Sequence, residues 1–340
     1  MQLTFEGRDY ELRPGESVLD AMARHGVGLP SACRVGSCQA CLIRSVSGDP
    51  GPEARRGLKA TWLASGYFLA CLARPSSDLT VAEPGDDAYV SARLISARPI
   101  GPGVLRVLVR PDQRLDYQPG QHVRLSRAGG ITRIYSIVGL PAESERTGVE
   151  LHVRVYPAGA MSGWLARARP GAPLSLGGPA GECFYAPGNC DGPLLLAGTG
   201  TGIAPLLAVA RAALANRHRG PVVLIHGAAG PDGLYLGRRC PPELTASAAR
   251  TAGERPAVTW RRAGGRPAVT WRTCVRSDGE DIAAAVTAEL AALTCPAGSV
   301  RAYLCGGVRS VSRMRRALFM AGMSLADIYA DQFVPAGAGS

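Results

Sequence analysis

The sequence predicts three compact units in a row: an N-terminal α+β unit around a cysteine-rich loop, a small antiparallel β-barrel, and a C-terminal α/β unit with a parallel sheet. Three observations predict this. The chain has 340 residues, enough for two or three domains at roughly 100 to 200 residues each. Short runs of apolar alternation begin at Tyr89, and after Pro193 they give way to apolar strands separated by helical stretches, the patterns of an antiparallel and of a parallel sheet. The first unit holds a tight group of cysteines and ends at the acidic, turn-prone Glu83-Pro84-Gly85-Asp86-Asp87. The expected boundaries are 1–88, 89–190 and 191–340.

Composition narrows the class. Hydrophobic residues make up 46% and charged residues 19%, which excludes a disordered, collagen-like or coiled-coil chain. The net charge of +11 divides as −2, +6 and +7 over the three units. Two arginine-rich units suit phosphorylated small molecules. There is no lysine–arginine block or interleaved aromatic pattern, so no nucleic-acid partner is expected. The opening Met1-Gln2-Leu3-Thr4-Phe5-Glu6 lacks the basic start and apolar core of a secretory signal. Ten cysteines in a chain read as cytoplasmic are expected as metal ligands and buried thiols rather than disulfides. The uncharged stretch 192–210 is long enough for a membrane span, but four glycines and Pro205 favour a strand, turn and helix. No membrane insertion is expected.

In the first unit, Gln2–Phe5 and Tyr10–Leu12 around Gly7 form a hairpin, and a short helix from Ser17 to His25 takes Ser17 as N-cap. Asp78–Val81 is a further strand. The barrel strands are 104–109, His122–Leu125, Ile134–Val138 and Leu151–Val155. The last unit alternates strands Leu194–Ala197, Val222–His226, Val269–Val275 and Ala302–Cys305 with helices Pro205–Ala215, Asp281–Leu293 and Val308–Ala321. The heptapeptide Arg255–Arg261 recurs as Arg266–Arg272. Two copies make no solenoid, so the first is placed in a surface loop and the second in the sheet.

Cys33, Cys38, Cys41 and Cys71 are spaced C-x4-C-x2-C with the fourth 29 residues on, the plant-type pattern for a 2Fe-2S cluster. Three thiolates from one loop wrap a small cluster, and the distant fourth closes it against a packed domain. Zinc sites usually come as two short-spaced pairs, and Cys71 has no such neighbour. The segment Cys33-Arg34-Val35-Gly36-Ser37-Cys38-Gln39-Ala40-Cys41, with Leu69-Ala70-Cys71-Leu72-Ala73-Arg74-Pro75, resembles the N-terminal ferredoxin domain of bacterial oxygenase reductases. These are the electron-transfer components of ring-hydroxylating dioxygenases and of phenol, toluene and methane monooxygenases. The resemblance implies a β-grasp ferredoxin, a flavin-binding barrel and a nicotinamide-binding domain. Gln39 departs from the family's glycine.

The remaining motifs follow in the family's order. Arg133-Ile134-Tyr135-Ser136 resembles its R-x-Y-S segment: the arginine can pair with a pyrophosphate oxygen, the tyrosine ring can lie against the isoalloxazine, and the serine hydroxyl can reach the flavin N5 edge. Taken alone, the four residues also fit an ordinary barrel strand. The run from His152 through Arg154, Gly159, Met161 and Ser162 to Leu165 resembles the second flavin segment, and Gly178-Pro179-Ala180-Gly181-Glu182-Cys183-Phe184 looks like the motif that ends the barrel. The resemblance implies FAD rather than FMN.

Leu194–Ala197 followed by Gly198-Thr199-Gly200-Thr201-Gly202 is a strand running into a glycine turn at a helix start, where backbone N–H groups can face a pyrophosphate. It resembles the family's dinucleotide turn, with Thr199 replacing a glycine. Tyr303-Leu304-Cys305-Gly306-Gly307 resembles the segment whose thiol lies near the nicotinamide C4, with Gly307 for proline. Asp327–Phe333 looks like the family ending, with Asp331 for glutamate and Phe333 covering a flavin face. His226-Gly227-Ala228-Ala229 lacks an arginine often present there, which favours NADH, while Arg238-Arg239 could reach a 2′-phosphate of NADPH.

Reduced nicotinamide gives up two electrons as one hydride, and a plant-type cluster accepts one at a time. A flavin must stand between them. The sequence has no facial two-histidine, one-carboxylate arrangement and only five histidines, so the acceptor is expected to be another protein, the terminal oxygenase. Two alternatives share the pattern: the reductase partner of a deoxysugar dehydratase, and a redox-sensing module with a dead nicotinamide site. A monomer is expected.

Overall fold

The structure is a computed structural model that describes residues 1–31, 33–36, 38–156, 158–186, 190–245, 269–293 and 295–334. The first sheet runs through β1 (Gln2–Phe5), β2 (Arg8–Glu11), β3 (Leu42–Ser47), β4 (Tyr67–Leu69) and β5 (Leu79–Ala82), in the order β2-β1-β5-β3-β4. The central pair β1 and β5 is parallel, with Leu3 beside Leu79. Helix α1 (Val18–Arg24) buries Val18, Leu19 and Met22 in the core that also holds Leu3, Phe5 and Phe68. It starts where the Ser17 Oγ accepts from the Asp20 N–H at 3.1 Å, and Asp20 in the first turn complements the helix dipole. A second helix, α2 (Ala60–Ala64), brings Trp62 into the same core.

The second sheet contains β6 (Val90–Gly101), β7 (Val104–Pro111), β8 (His122–Arg127), β9 (Ile131–Ser136), β10 (Val149–Arg154) and β11 (Pro173–Ala180), ordered β10-β7-β6-β11-β8-β9 and antiparallel throughout. A bridge between Ile137 and Leu151 joins the two outer strands and closes the sheet into a barrel. Two of these strands go beyond the sequence reading. In β6 the alternation is interrupted by two register shifts, and in β11 only Leu174 and Leu176 alternate before Gly177-Gly178-Pro179, where a bulge breaks the pairing. Helix α3 (Pro141–Thr147), with proline in its first turn and no buried residue, is also beyond it, because about two turns without a buried side chain carry no apolar stripe. The one-turn helix α4 (Ser162–Leu165) follows β10.

The third sheet is fully parallel, in the order β14-β13-β12-β15-β16, from β12 (Leu194–Thr199), β13 (Val222–Ala228), β14 (Val269–Val275), β15 (Arg301–Gly307) and β16 (Ile328–Phe333). Its helices are α5 (Ile203–Ala215), α6 (Pro242–Thr245), α7 (Ile282–Ala292) and α8 (Val308–Met320). The uncharged stretch is explained by burial on both faces. Leu194 and Leu196 pack against α5, whereas Leu195 and Ala197 pack toward α7 and α8, each leucine contributing about 2 kcal/mol. Among the described residues no helix is long and apolar enough to cross a membrane. The second copy of the heptapeptide enters the sheet at Val269 as the edge strand β14; the first copy lies outside the described residues.

Two histidines of this unit are fully buried. His218 Nδ1 lies 3.2 Å from the Tyr185 hydroxyl, and His226 Nε2 lies 3.1 Å from the Gly200 carbonyl. Burial lowers each from 6.5 to about 4. Below pH 6.5 the unfolded chain therefore binds protons more readily than the folded one. The stability their neutral rings contribute is complete above pH 6.5 and is lost as the pH falls toward 4, by up to about 3 kcal/mol per ring. Urea unfolding at pH 7 and pH 4.5 should show this fall, and His226→Gln, which keeps a donor for the Gly200 carbonyl, should reduce it. Equal pH slopes for the two proteins would contradict the assignment.

Candidate electron-transfer site

The loop between α1 and β3 carries three of the four clustered cysteines. Its backbone turns inward on them: Val35 N–H and Cys38 N–H donate to the Cys33 sulfur at 3.4 and 3.3 Å, Cys33 N–H to the Cys38 sulfur at 3.4 Å, and Cys71 N–H to the Cys41 sulfur at 3.4 Å. Gly36 has φ +84°, and a Cβ there would stand 2.5 Å from a Leu72 methyl. Gln39 has φ +53°, the left-handed region that favours glycine. That accounts for the glycine expected at this position, and here the Gln39 side-chain amide donates to the Gly57 carbonyl at 2.9 Å instead. Cys41 and Cys71 belong to the apolar core, whereas Cys33 and Cys38 are half-buried and Val35 at the loop tip is 70% exposed.

The donor set fits an iron–sulfur cluster. Contact with Cys33, then burial, pushes the Cys38 thiol well up, and contact with Cys71, then burial, does the same to Cys41. Contact with Cys41 lowers the Cys71 thiol instead, and thiolates this close together are costly to form without a cation among them. The inward N–H groups would then meet anionic sulfur.

On the barrel, β9 presents Arg133, Tyr135 and Ser136 opposite Leu125, Val123 and His122 of β8. Arg133 donates to the Thr132 carbonyl at 2.7 Å, and burial raises the Tyr135 phenol. A second patch follows β10. The Ser162 Oγ accepts from Tyr156 N–H at 3.1 Å, and a Cβ on Gly159 would lie 2.2 Å from that oxygen, so the turn demands glycine. Met161 is buried at the start of α4. Arg154 donates to the Pro102 carbonyl at 3.0 Å and lies near the glycine turn, 3.9 Å from where a Cβ on Gly200 would stand. The ring of His152 is held within the protein, one nitrogen meeting the Tyr235 hydroxyl at 2.8 Å and the other Glu150 at 3.1 Å.

In the third unit, the glycines mark close approaches of strand ends. A Cβ on Gly198 would stand 2.6 Å from the Gly202 carbonyl, one on Gly202 2.4 Å from the Cys305 carbonyl, and one on Gly306 2.1 Å from the Thr199 hydroxyl. Thr199 is thus accommodated by the bare backbone of Gly306. Thr201 is half-buried in the same turn. The Cys305 sulfur is fully buried, 3.2 Å from Cys183, and Asp331 joins the pair with all three ligand atoms within 4.8 Å of one another. Register places Asp331 beside Cys305, and Phe333 beside Gly307.

His122 connects these parts. It pairs with Ser136 across the barrel, its Nδ1 lies 3.8 Å from Asp331, and its Nε2 lies 3.0 Å from the Cys38 carbonyl. A carbonyl only accepts, so Nε2 carries the proton. Two residues further along the same strand, Arg124 reaches the Gln39 carbonyl at 3.2 Å. Sequence reasoning missed His122, Arg124, Cys183 and His226 as site residues. No local motif marks the first two, while Cys183 sits within the barrel-ending segment 178–184.

Residues 3–76 match the 2Fe-2S iron-sulfur cluster binding domain and residues 104–185 the oxidoreductase FAD-binding domain. The chain is 37% identical over 247 residues to the reductase subunit of an aromatic O-demethylase from Amycolatopsis, covering 68% of this chain and 73% of the relative. It is 32% identical over 262 residues to the ferredoxin–NAD(+) reductase component of an alkene monooxygenase system from Xanthobacter autotrophicus, covering 74% and 77%. Among solved structures, an Amycolatopsis cytochrome P450 reductase aligns with a TM-score of 0.63 and 29% identity over 98% of this chain and 99% of its own. Motif order, sheet topology and similarity along the chain agree, and the protein belongs to the ferredoxin-fused flavin reductases, whose members include the reductase components of oxygenase systems.

Proposed function

We propose that this chain takes hydride from NADH or NADPH and delivers the electrons singly to a terminal oxygenase, as a monomeric cytoplasmic component. The observation that carries the reading is the junction at His122, where the flavin barrel, the nucleotide sheet and the cluster loop meet within hydrogen-bond and ion-pair distances. A bound flavin supplies the conversion of an electron pair into single electrons.

The chain's own residues bind and orient. Cys33, Cys38, Cys41 and Cys71 hold the iron, with backbone N–H groups already aimed at the sulfurs. Arg133 and Arg154 bring positive charge to the FAD pyrophosphate, with the Gly159-to-Ser162 turn shaping that patch, while Tyr135 and Ser136 line the ring. Gly198, Thr199, Gly200, Thr201 and Gly202 offer backbone to the dinucleotide, and Gly306 leaves room for Thr199. Cys305 and Asp331 stand where the nicotinamide is read, and Phe333 covers a flavin face. The tight fit of Thr199 and the placement of Asp331 beside Cys305 support a competent site rather than a sensor. Electrons leave on the Val35 side of the loop, the face open to a partner. The alkene monooxygenase system served by one relative supports an oxygenase as that partner.

Two variants test this. Cys305→Ala should slow NADH-driven bleaching of the flavin in stopped-flow mixing by about tenfold or more with flavin content unchanged; an unaltered rate would contradict its placement at the nicotinamide. Cys71→Ser should leave the flavin reducible by NADH, measured with ferricyanide, while one-electron delivery to cytochrome c collapses. Undiminished cytochrome c reduction would show that electrons bypass the cluster.

A further inference from the structure

Among the described residues Arg124 has no ion-pair partner. It sits mid-strand on β8, is 2% exposed, and crosses from the barrel into the first unit. Its guanidinium donates to the Gln39 carbonyl at 3.2 Å and the Ala88 carbonyl at 3.4 Å, and lies 5.3 Å from the Trp62 ring centre and 5.0 Å from that of Tyr89. The Nε is buried without a partner. Among the described residues no carboxylate lies within ion-pair distance of it, and the ionisable groups nearest in effect are Tyr89, Cys41, Tyr67 and Cys38. Burying an unpaired charge is costly, and a fold keeps such a group where something anionic faces it.

The passage for this side chain is built. Gly177 of β11 pairs with Arg124, and a Cβ there would stand 2.7 Å from its Nε and Nη2 and 2.9 Å from Tyr89. His122 and Arg124 alternate onto one face of β8 and take adjacent carbonyls, those of Cys38 and Gln39. The flavin barrel therefore grips the cluster loop at the residue that bears a ligand and at the one after it.

We propose that Arg124 is the counter-cation of the iron–sulfur cluster, a positioning residue lent by the flavin barrel that raises the cluster's reduction potential and so favours electron arrival from the flavin. The inference rests on the cluster assignment above. A four-thiolate cluster is anionic when oxidised and gains a further negative charge on reduction, so a fixed positive charge nearby stabilises the reduced form more. Cluster potentials respond to net charge, hydrogen bonding and solvent exposure. The aromatic walls of Trp62 and Tyr89 keep water from screening the interaction.

The test is a redox titration of the full-length holoprotein, with the reduced cluster read by EPR. In Arg124→Gln and Arg124→Met the flavin–cluster equilibrium should move against the cluster by about tenfold or more, a fall of about 59 mV in its midpoint, while Arg124→Lys should stay near the unmodified protein. An unchanged midpoint in Arg124→Gln overturns the proposal, and so does an equal fall in Arg124→Lys, which would indicate packing rather than charge. If the neutral variants lose iron on purification, Gly177→Ala provides the second reading: its Cβ displaces the guanidinium without removing the charge, and the midpoint should again fall; no shift overturns the proposal. A protein that shows no 2Fe-2S EPR signal at all would defeat the cluster assignment itself, a distinct outcome.

Discussion

Two neighbouring carbonyls of the cysteine loop, on Cys38 and Gln39, are held by two side chains of a single barrel strand, and the working arrangement of the molecule depends on that grip. Hydride arrives as a pair and iron takes electrons one by one, so the sites for nicotinamide, flavin and cluster must be serial and close. A flexible tether would leave the last transfer to chance encounters. Here His122 spans the gap from Asp331 to the Cys38 carbonyl, so the nucleotide sheet, the barrel and the ferredoxin loop share one residue.

The glycine turn of the third unit solves a packing problem of a different kind. Three strand ends and a helix start converge so tightly that a methyl group at Gly198 or Gly202 would lie within 2.6 Å of backbone. A glycine turn at a helix start is where backbone N–H groups can face a ligand. His226 fixes the turn from beneath by donating to the Gly200 carbonyl. Thr199 intrudes on this space only because Gly306 yields it, so the departure from the family pattern is compensated locally.

Much of this was legible in the sequence because the signals are local. The spacing of Cys33, Cys38, Cys41 and Cys71 defined the ferredoxin, and the run from Leu194 to Ala215 declared a strand, a turn and a helix. The N-cap at Ser17 was readable from one hydroxyl before an apolar stripe. What escaped was either weakly patterned or long-range. Strands β6 and β11 are broken by bulges and by glycine and proline, and α3 is short and exposed. His122 and Arg124 touch partners more than 80 residues away, and no spacing rule reports such a contact. The contact of His152 with Tyr235, 83 residues on, is of the same long-range kind.

The central claim is that electrons pass from flavin to iron within one polypeptide. The most direct measurement is the rate of cluster reduction after rapid mixing with excess NADH, followed over a wide range of protein concentration. The account predicts a first-order rate that does not change with protein concentration. A rate that rises in proportion to it would mean that the cluster of one molecule is reduced by the flavin of another, and the grip of β8 on the loop would have no part in the transfer.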